Sequence, residues 1–335
     1  MAKLHLKSVV RPVFALCTAL CMHVTAHAST VNVNVATAYA ADSFHTQNLQ
    51  QYANDVAKAT NGQVQLKIFP AGTLLKPTDI FEGVRQGKAE AGEVIMSSLA
   101  KDIPLFGMDA LPFIVSGYQD ARRMWDVSRP SVEKALDDRG LKLLYAVAWP
   151  PQNLYSREAI TAMKDFKGLS MRTYNHATVR IAELIGAKPV TIQVIDLSRA
   201  IADAKLDLML TSSWTGVETK AWSRMQYYYK VNAWFPKNVV FISKKVFEGL
   251  DPDTKKKVLA LAETAEQRGW KLSQNSDQDF ENQLAANKIH IANIDPFIRR
   301  YLDRIGENLA REWLKQAGHD ELKVLLRYTT ERSMK

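Results

Sequence analysis

A strand–helix alternation that occurs twice along the chain is the strongest constraint on its fold. Residues 31–36, VNVNVA, alternate as a half-buried strand does, and residues 44–60 carry apolar side chains at helical spacing until Asn61 and Gly62 end the segment. A second alternating strand, 63–70, precedes a helix, a turn and a third strand over 79–95. This spacing predicts an α/β layer with a mainly parallel sheet.

The same order begins again after Pro150 and Pro151. The segments of this second series are the strands NLYSREAI (153–160), LSMRTYN (169–175), KPVTI (188–192) and DLMLTSS (207–213), and the helices HATVRIAELIG (176–186) and VIDLSRAIADAKL (194–206). Two α/β units in succession indicate two lobes joined at a hinge.

A long helical segment follows the second series. The pattern of residues 251–288 stays helical for about 35 residues, well beyond an ordinary globular helix. A coiled coil would explain this length, but the apolar residues become sparse after Leu272. We therefore expect a helix packed across both lobes. The expected division is lobe I at 29–150 plus about 238–282, and lobe II at 151–237 plus about 283–335.

The first 28 residues have the features of a secretory signal peptide. A basic start without acids precedes an apolar stretch over 13–24, and Ala26-His27-Ala28 forms a small-x-small cleavage pattern before Ser29. Both cysteines lie inside this segment, and neither follows the small residue that a lipoprotein cleavage site needs. No later run approaches the roughly 20 apolar residues of a membrane span. We expect a periplasmic protein that is not embedded in the membrane.

The basic composition does not indicate nucleic-acid binding. Removing the signal peptide takes away Lys3, Lys7 and Arg11, which lowers the formal charge from +9 to +6. The remaining basic residues are interspersed with acids, as in residues 251–270, and form no continuous stripe. We therefore expect no nucleic-acid partner.

One charged side chain stands at the end of a predicted strand. In KGLSMRTYN (167–175), Leu169 and Met171 alternate with Ser170 and Arg172, which predicts a short half-buried strand. Ligands of two-lobed α/β proteins lie between the domains, at the carboxyl ends of strands. The residues alone leave two alternatives for Arg172: it binds a ligand carboxylate, or it forms a structural salt bridge with Asp165 or another acid.

Several stretches resemble the extracytoplasmic solute-binding proteins of TRAP (tripartite ATP-independent periplasmic) transporters, the DctP-type family. The resemblance covers nearly the whole mature chain. It is carried by residues 59–75, 83–90, 111–113, 154–160, 166–175, 184–192 and 205–210. It implies a two-lobed periplasmic-binding-protein fold that captures an organic acid, with 2-oxo and aromatic acids among the candidates, and delivers it to membrane permease subunits.

The resemblance also implies roles for individual residues. The family's strand-end carboxylate anchor corresponds to Arg172, its second basic residue to Arg157, and its following polar residue to Asn175. Many members read Asp-Gly-x-Glu-Asn where this chain has DLMLTSSWTG (207–216), so the polar side chains at that place are Thr211 and Ser212. This departure affects the choice of ligand and not the transport role.

Aromatic residues concentrate near the same strand ends. Tyr39 and Phe44 flank the first strand–helix junction, Trp149 precedes the crossover at Pro150, and Trp214 follows Thr211 to Ser213. Tyr174 neighbours Arg172. Together they predict a pocket with an apolar or aromatic wall, wider than a C4-dicarboxylate needs.

The sequence offers little support for catalysis. The four histidines outside the signal peptide, His45, His176, His290 and His319, show no metal-ligand spacing, and no Gly-x-Ser-x-Gly motif is present. His176 beside the anchor region is a candidate base, but a histidine at a helix start needs no such role. We expect no metal, cofactor or catalytic residue. A periplasmic lyase or hydrolase on the same scaffold and a sensory binding protein remain the alternatives.

Overall fold

The computed structural model describes residues 1–2 and 30–333 of the chain. Beyond its first two residues, the predicted signal peptide (1–28) lies outside the described part. The strands are β1 (Val31–Thr37), β2 (Val64–Phe69), β3 (Ala91–Ile95), β4 (Leu141–Ala148), β5 (Asn153–Ser156), β6 (Ser170–Thr173), β7 (Lys188–Thr191), β8 (Leu208–Thr211), β9 (Tyr227–Lys230), β10 (Lys237–Ser243) and β11 (His290–Asn293). The α-helices are α1 (Phe44–Ala59), α2 (Ile80–Arg85), α3 (Pro104–Gly107), α4 (Tyr118–Asp137), α5 (His176–Leu184), α6 (Val194–Ala202), α7 (Ser213–Glu218), α8 (Lys244–Glu248), α9 (Pro252–Ala286), α10 (Pro296–Leu314) and α11 (His319–Ser333).

The strands form two mixed sheets, one in each lobe. The first has the order β2-β1-β3-β10-β4, and the second has the order β11-β9-β5-β8-β6-β7. In the first sheet β1 runs parallel to β2 and β3, while β10 runs antiparallel to β3 and β4. The chain leaves this lobe at the end of β4 and returns at the start of β10, which pairs with the end of β4, so these two strands run antiparallel. The two-lobed α/β fold is confirmed, but neither sheet is wholly parallel.

The two crossings between the lobes run side by side. The backbone N–H of Trp149 donates to Pro236 O at 2.8 Å, and Gln152 exchanges hydrogen bonds with Trp234 and Ala233, each at 2.9 Å. This short pair of extended segments is where the expected hinge would lie.

Helix α9 contacts both lobes, as the sequence predicted. In the first lobe Trp270 Nε1 donates to Ala146 O at 3.0 Å. Gly269 lies so close to β4 that an added Cβ would approach Val147 to 2.4 Å, so this helix position requires glycine. In the second lobe Ser213 Oγ donates to Asp277 at 2.5 Å, and Lys230 Nζ lies 2.6 Å from Glu281. The polar half of the helix therefore joins the lobes.

The last helix differs from the expected division of the chain, which placed residues 283–335 with the second lobe. Helix α11 packs against α4 of the first lobe, where Val324 and Tyr328 are buried. The Tyr328 hydroxyl donates to Ile114 O at 2.9 Å, and Trp313 Nε1 at the end of α10 donates to Pro104 O at 2.8 Å. The chain therefore crosses back to the first lobe through α10.

Among the described residues, no helix combines the length and the apolar character that a membrane span requires.

Candidate functional site

A cleft of about 290 Å³ lies between the lobes, at the carboxyl ends of strands from both sheets. The first lobe contributes residues that follow β1 and β4 or end β3, and the second contributes residues at the ends of β6 and β8. The principal lining residues are Tyr39, Phe81, Val94, Trp149, Gln152, Arg172, Tyr174, Thr211, Ser212 and Thr215.

Arg172 is buried in this cleft without an acidic partner. It is 4 % exposed, and its Nε donates to Ile192 O at 3.1 Å. Its guanidinium lies 4.7 Å from the centre of the Tyr174 ring. Across residues 30–333 its two Nη atoms have no hydrogen-bond partner, and no acid forms an ion pair with it. Burial lowers the pKa of Arg172 to about 10, so the side chain stays positively charged at neutral pH.

The salt bridge with Asp165 that the sequence left open does not form. The Asp165 carboxylate instead accepts hydrogen bonds from the backbone N–H groups of Thr161 at 2.8 Å and Ala162 at 2.9 Å. These bonds lower the pKa of Asp165 and fix it at a turn.

The structure does not bring Arg157 to the cleft. This half-buried residue follows β5 and forms an ion pair with Asp207 at 3.0 Å. Strand β5 runs antiparallel to β8, whereas β6 runs parallel to β8, so the carboxyl ends of β5 and β6 lie at opposite ends of the sheet. Arg157 and Arg172 therefore point to different sides of the second lobe.

Asn175 lies beside the cleft and links the two lobes. Its Oδ1 accepts a hydrogen bond from Thr178 N at 2.9 Å, which caps α5. Its Nδ2 donates to Ser97 Oγ of the first lobe at 2.9 Å. Asn175 and His176 line a neighbouring cavity of about 470 Å³, so neither faces the Arg172 cleft.

Thr211 and Ser212 line the cleft at the end of β8. The Ser212 hydroxyl accepts from Thr215 N at 3.1 Å and caps α7. Its hydrogen-bonding capacity is therefore partly used within the protein. Thr211 is the last residue of β8, in the strand beside Arg172.

The aromatic residues form two layers. Tyr39 and Trp149 line the cleft, with their ring centres 5.0 Å apart. Phe44 and Trp214 do not line it, but each packs against Trp149 at a centroid distance of 5.5 Å. The predicted aromatic wall therefore consists of a cleft-facing pair backed by a second pair.

Sequence reasoning missed three polar residues: Gln152, which lines the cleft, and Asn238 and Glu93, which lie behind the aromatic wall. Gln152 Oε1 accepts the Tyr174 hydroxyl at 3.1 Å. Asn238 Oδ1 accepts both the Tyr39 hydroxyl at 3.0 Å and Trp149 Nε1 at 2.8 Å, while its Nδ2 donates to Glu93 at 3.0 Å. Asn238 stands in the otherwise apolar run NVVFI and Glu93 in a buried strand, so a buried polar residue in a strand was the available signal.

One more acid lies near the site. Glu218, at the end of α7, has a buried Oε2 atom without a hydrogen-bond partner among the described residues. Burial, with a smaller contribution from Asp42, raises the pKa of Glu218 to about 8. No group of acids, histidines or cysteines in residues 30–333 is arranged to hold a metal ion.

The chain matches the family model of the bacterial extracellular solute-binding proteins, family 7 (DctP), over residues 35–316. It is 35% identical to the Bordetella pertussis extracytoplasmic solute receptor DctP6, covering 90% of this chain and 100% of that chain with a TM-score of 0.87. A TRAP solute-binding protein from a marine metagenome is 31% identical over 90% of this chain and 99% of that chain, with a TM-score of 0.88. DctP6 binds pyroglutamic acid, and the marine protein contains co-purified pyroglutamate.

A more distant relative is the 2,3-diketo-L-gulonate-binding periplasmic protein YiaO of Escherichia coli. It is 22% identical over 277 residues, which are 79% of this chain and 82% of that protein. Members of the family are receptors that bind a solute without converting it. The chain belongs to the DctP family and is an extracytoplasmic solute-binding protein of the TRAP transporter type.

Proposed function

We propose that the protein captures a small cyclic carboxylate of the pyroglutamate class in the interlobe cleft and delivers it to TRAP membrane permease subunits. The observation that supports this most is the buried guanidinium of Arg172, whose Nη atoms face a cleft without an acidic partner. The permease role follows from membership of the family.

The chemistry of Arg172 favours a carboxylate. A guanidinium presents its donors in a rigid planar fork that matches two carboxylate oxygens. A buried charge without a partner is costly, so an anion that completes the pair is favoured. The Tyr174 ring packs against one face of the guanidinium, and Ile192 O accepts a hydrogen bond from its Nε. Four N–H groups on the Nη atoms remain for the ligand.

The shape of the cleft favours a compact ligand. Its volume of about 290 Å³ is at the lower end of the range for small-molecule sites. Tyr39 and Trp149, whose ring planes are tilted by 54° to each other, form an aromatic wall on the side of the first lobe. A small ring that carries a carboxylate fits this combination, and pyroglutamate is bound by two relatives that are 35% and 31% identical to this chain.

The proposed contact residues are those of the predicted set that line the cleft: Arg172, Tyr39, Trp149, Thr211 and Ser212. Phe44 and Trp214 would support Trp149, and Arg157 would take no part. Asn175 would act through closure, because its hydrogen bond to Ser97 joins the lobes. Ligand binding and closure of the hinge would then stabilise each other.

Export would depend on residues 1–28 acting as a cleaved signal peptide. N-terminal sequencing of the periplasmic product should then begin near Ser29. A retained Met1 on a cytoplasmic product would contradict the proposed export.

Thermal shift and calorimetric titration with pyroglutamate test the ligand proposal. A ligand at 100 times its Kd stabilises the folded protein by about 2.7 kcal/mol, so the melting temperature should rise clearly. Succinate and benzoate serve as comparison acids and should give smaller shifts. The recovered pyroglutamate should be unchanged. Absence of binding to any carboxylate would overturn the proposal.

A further inference from the structure

The wall of the cleft formed by the first lobe rests on one buried amide. Asn238 is 0 % exposed and stands at the start of β10, just after the chain returns from the second lobe. Its Oδ1 lies 3.0 Å from the Tyr39 hydroxyl and 2.8 Å from Trp149 Nε1. Its Nδ2 lies 3.0 Å from Glu93 Oε1. The amide therefore joins both cleft-facing aromatic residues to a buried carboxyl group.

The chemistry of its neighbours fixes the orientation of this amide. An indole N–H can only donate, so the atom that faces Trp149 must be the amide oxygen. An ionised carboxylate can only accept, so the atom that faces Glu93 must be the amide nitrogen. Glu93 is 1 % exposed, and its other oxygen accepts the Thr37 hydroxyl at 2.6 Å. Although burial opposes it, His45, whose Nδ1 lies 3.5 Å from Glu93 Oε1, and the hydrogen bonds from Thr37 and Asn238 keep the pKa of Glu93 below its usual value, which favours the ionised form.

This orientation determines what Tyr39 can offer to a ligand. An amide oxygen only accepts, so the Tyr39 hydroxyl must donate its single hydrogen to Asn238. Burial and the charge of Glu93 raise the pKa of Tyr39 well above its usual value, so the hydroxyl keeps that hydrogen. Only the lone pairs of the Tyr39 oxygen then remain for the cleft. The Trp149 N–H is committed to Asn238 in the same way, and Trp149 presents only its ring.

We propose that Asn238 is a positioning residue that makes Tyr39 an obligatory hydrogen-bond acceptor, so that the cleft selects carboxylates carrying an N–H or O–H donor close to the carboxylate. This inference rests on the proposed function and specifies its ligand class. Arg172 of the second lobe supplies donors for the carboxylate, and Tyr39 of the first lobe supplies an acceptor in the same cavity. A second carboxylate placed at Tyr39 would meet lone pairs, so dicarboxylates are disfavoured.

The test compares two ring acids of nearly equal shape by calorimetric titration. Pyroglutamate has a ring N–H next to the carbon that bears the carboxylate, and 5-oxotetrahydrofuran-2-carboxylate has a ring oxygen there. The wild-type protein should bind the lactam at least tenfold more tightly than the lactone. The lactone places its ring oxygen, an acceptor, opposite the lone pairs of the Tyr39 oxygen and gives that oxygen no hydrogen-bond donor. In Tyr39→Phe this ratio should fall below threefold.

Asn238→Leu tests the positioning role itself. Without the amide, the Tyr39 hydroxyl can rotate and donate to the lactone oxygen, so the lactam-to-lactone ratio should again fall below threefold. A purely structural role would weaken both ligands together and leave the ratio unchanged. Tyr52→Phe is the matched control, since Tyr52 is buried in the same lobe and donates to Val258 O at 3.2 Å, away from the cleft. Its ratio should stay that of the wild type.

The outcomes separate this inference from the function on which it rests. Equal wild-type affinity for lactam and lactone, or a ratio that survives in Tyr39→Phe, overturns the inference while ligand capture stands. Should Asn238→Leu fail to fold, the lactam-to-lactone ratio of Tyr39→Phe still decides whether Tyr39 selects for the ligand's hydrogen-bond donor. Binding of neither acid by the wild-type protein rejects the proposed ligand class and the inference together.

Discussion

Arg172 and Arg157 lie at opposite ends of the second sheet, and they differ in whether an acid pairs with them. Arg157 is half-buried and paired with Asp207 at 3.0 Å. Arg172 is buried and forms no ion pair with any acid in the part of the chain that the structure describes. The pKa values of the acids near the two arginines are shifted in opposite directions. Hydrogen bonds from Ser170 and the charge of Arg157 outweigh the effect of burial and lower the pKa of Asp207. Burial instead raises the pKa of Glu218, near Arg172, to about 8.

This difference shows how one sheet can carry both a structural and a ligand-binding arginine. The charge of Arg157 is neutralised inside the protein by an ionised partner. Glu218, the acid whose charge acts on the pKa of Arg172, is itself largely protonated at pH 7, so it does not neutralise the positive charge in the cleft. An anion that enters the cleft therefore gains an interaction that the folded protein does not provide for itself.

The largest expected effect is that of Arg172→Lys on ligand affinity. Lysine keeps the charge but lacks the planar fork, so one of two parallel hydrogen bonds is lost and the other loses its fixed direction. Hydrogen bonds to charged groups contribute about 1.5–3 kcal/mol each, so the affinity for pyroglutamate should fall at least tenfold. Calorimetric titration measures this loss, with Arg157→Lys as the matched control that should retain wild-type affinity.

The stability of the ligand-free Arg172→Lys protein sharpens the same comparison. Lysine keeps the charge, and Arg172 has no ion pair to lose among residues 30–333, so the apo melting temperature should stay close to that of the wild type. A melting temperature many degrees lower, together with normal affinity, would identify Arg172 as a structural residue like Arg157.

Glu218→Gln should change stability instead of affinity, and the change should depend on pH. The pKa of Glu218 is about 8 in the folded protein and near 4.5 in the unfolded chain. The folded state therefore binds a proton that the unfolded state releases, and the stability of the wild type decreases as the pH rises from about 4.5 to 8. Glutamine lacks this titration. The variant should match the wild type near pH 4.5 and exceed it above pH 8 by several kcal/mol, because each unit of pKa shift corresponds to about 1.4 kcal/mol.

Melting curves of the apo proteins at pH 4.5 and 8.5 provide this measurement, and the exposed residue Glu158 supplies the control Glu158→Gln. A difference between the Glu218→Gln protein and the wild type that stays constant over this range would mean that Glu218 is already ionised. Arg172 would then have an internal anion, and the contrast with Arg157 would disappear.

Local patterns were sufficient to predict much of the fold. Alternation identified several of the strands, among them β1, β2 and β6, and the length and uneven polarity of residues 251–288 predicted a helix that joins both lobes. The end of a short strand placed Arg172 where ligands of two-lobed proteins bind, while its role as carboxylate anchor was implied by the resemblance to the DctP-type family. The strand and helix patterns depend on the period of the side chains along one segment, which a single sequence displays directly.

The features that local patterns did not predict depend on how distant segments meet. Periodicity does not encode strand direction, so the antiparallel run of β5, which takes Arg157 away from the cleft, was not visible. Asn238 and Glu93 are 145 positions apart in the chain, and their hydrogen bond arises only when β10 inserts beside β3. Likewise Val324 and Tyr328 gave no local sign that α11 packs on the first lobe.

The smallest expected effect is that of Arg157→Ala, which should leave the affinity for pyroglutamate within about twofold of wild type. The Arg157 side chain is 38% exposed and that of Asp207 is 27% exposed, so solvent screens their attraction, and such pairs contribute about 0–1 kcal/mol. Asp207 would also keep its hydrogen bonds from Ser170 N at 2.9 Å and Ser170 Oγ at 2.7 Å, which hold β6 to the start of β8. Stability should therefore fall by at most about 1 kcal/mol, measured by urea unfolding. A tenfold loss of affinity would instead show that Arg157 acts on the ligand, and burial and internal pairing would then no longer distinguish the two arginines.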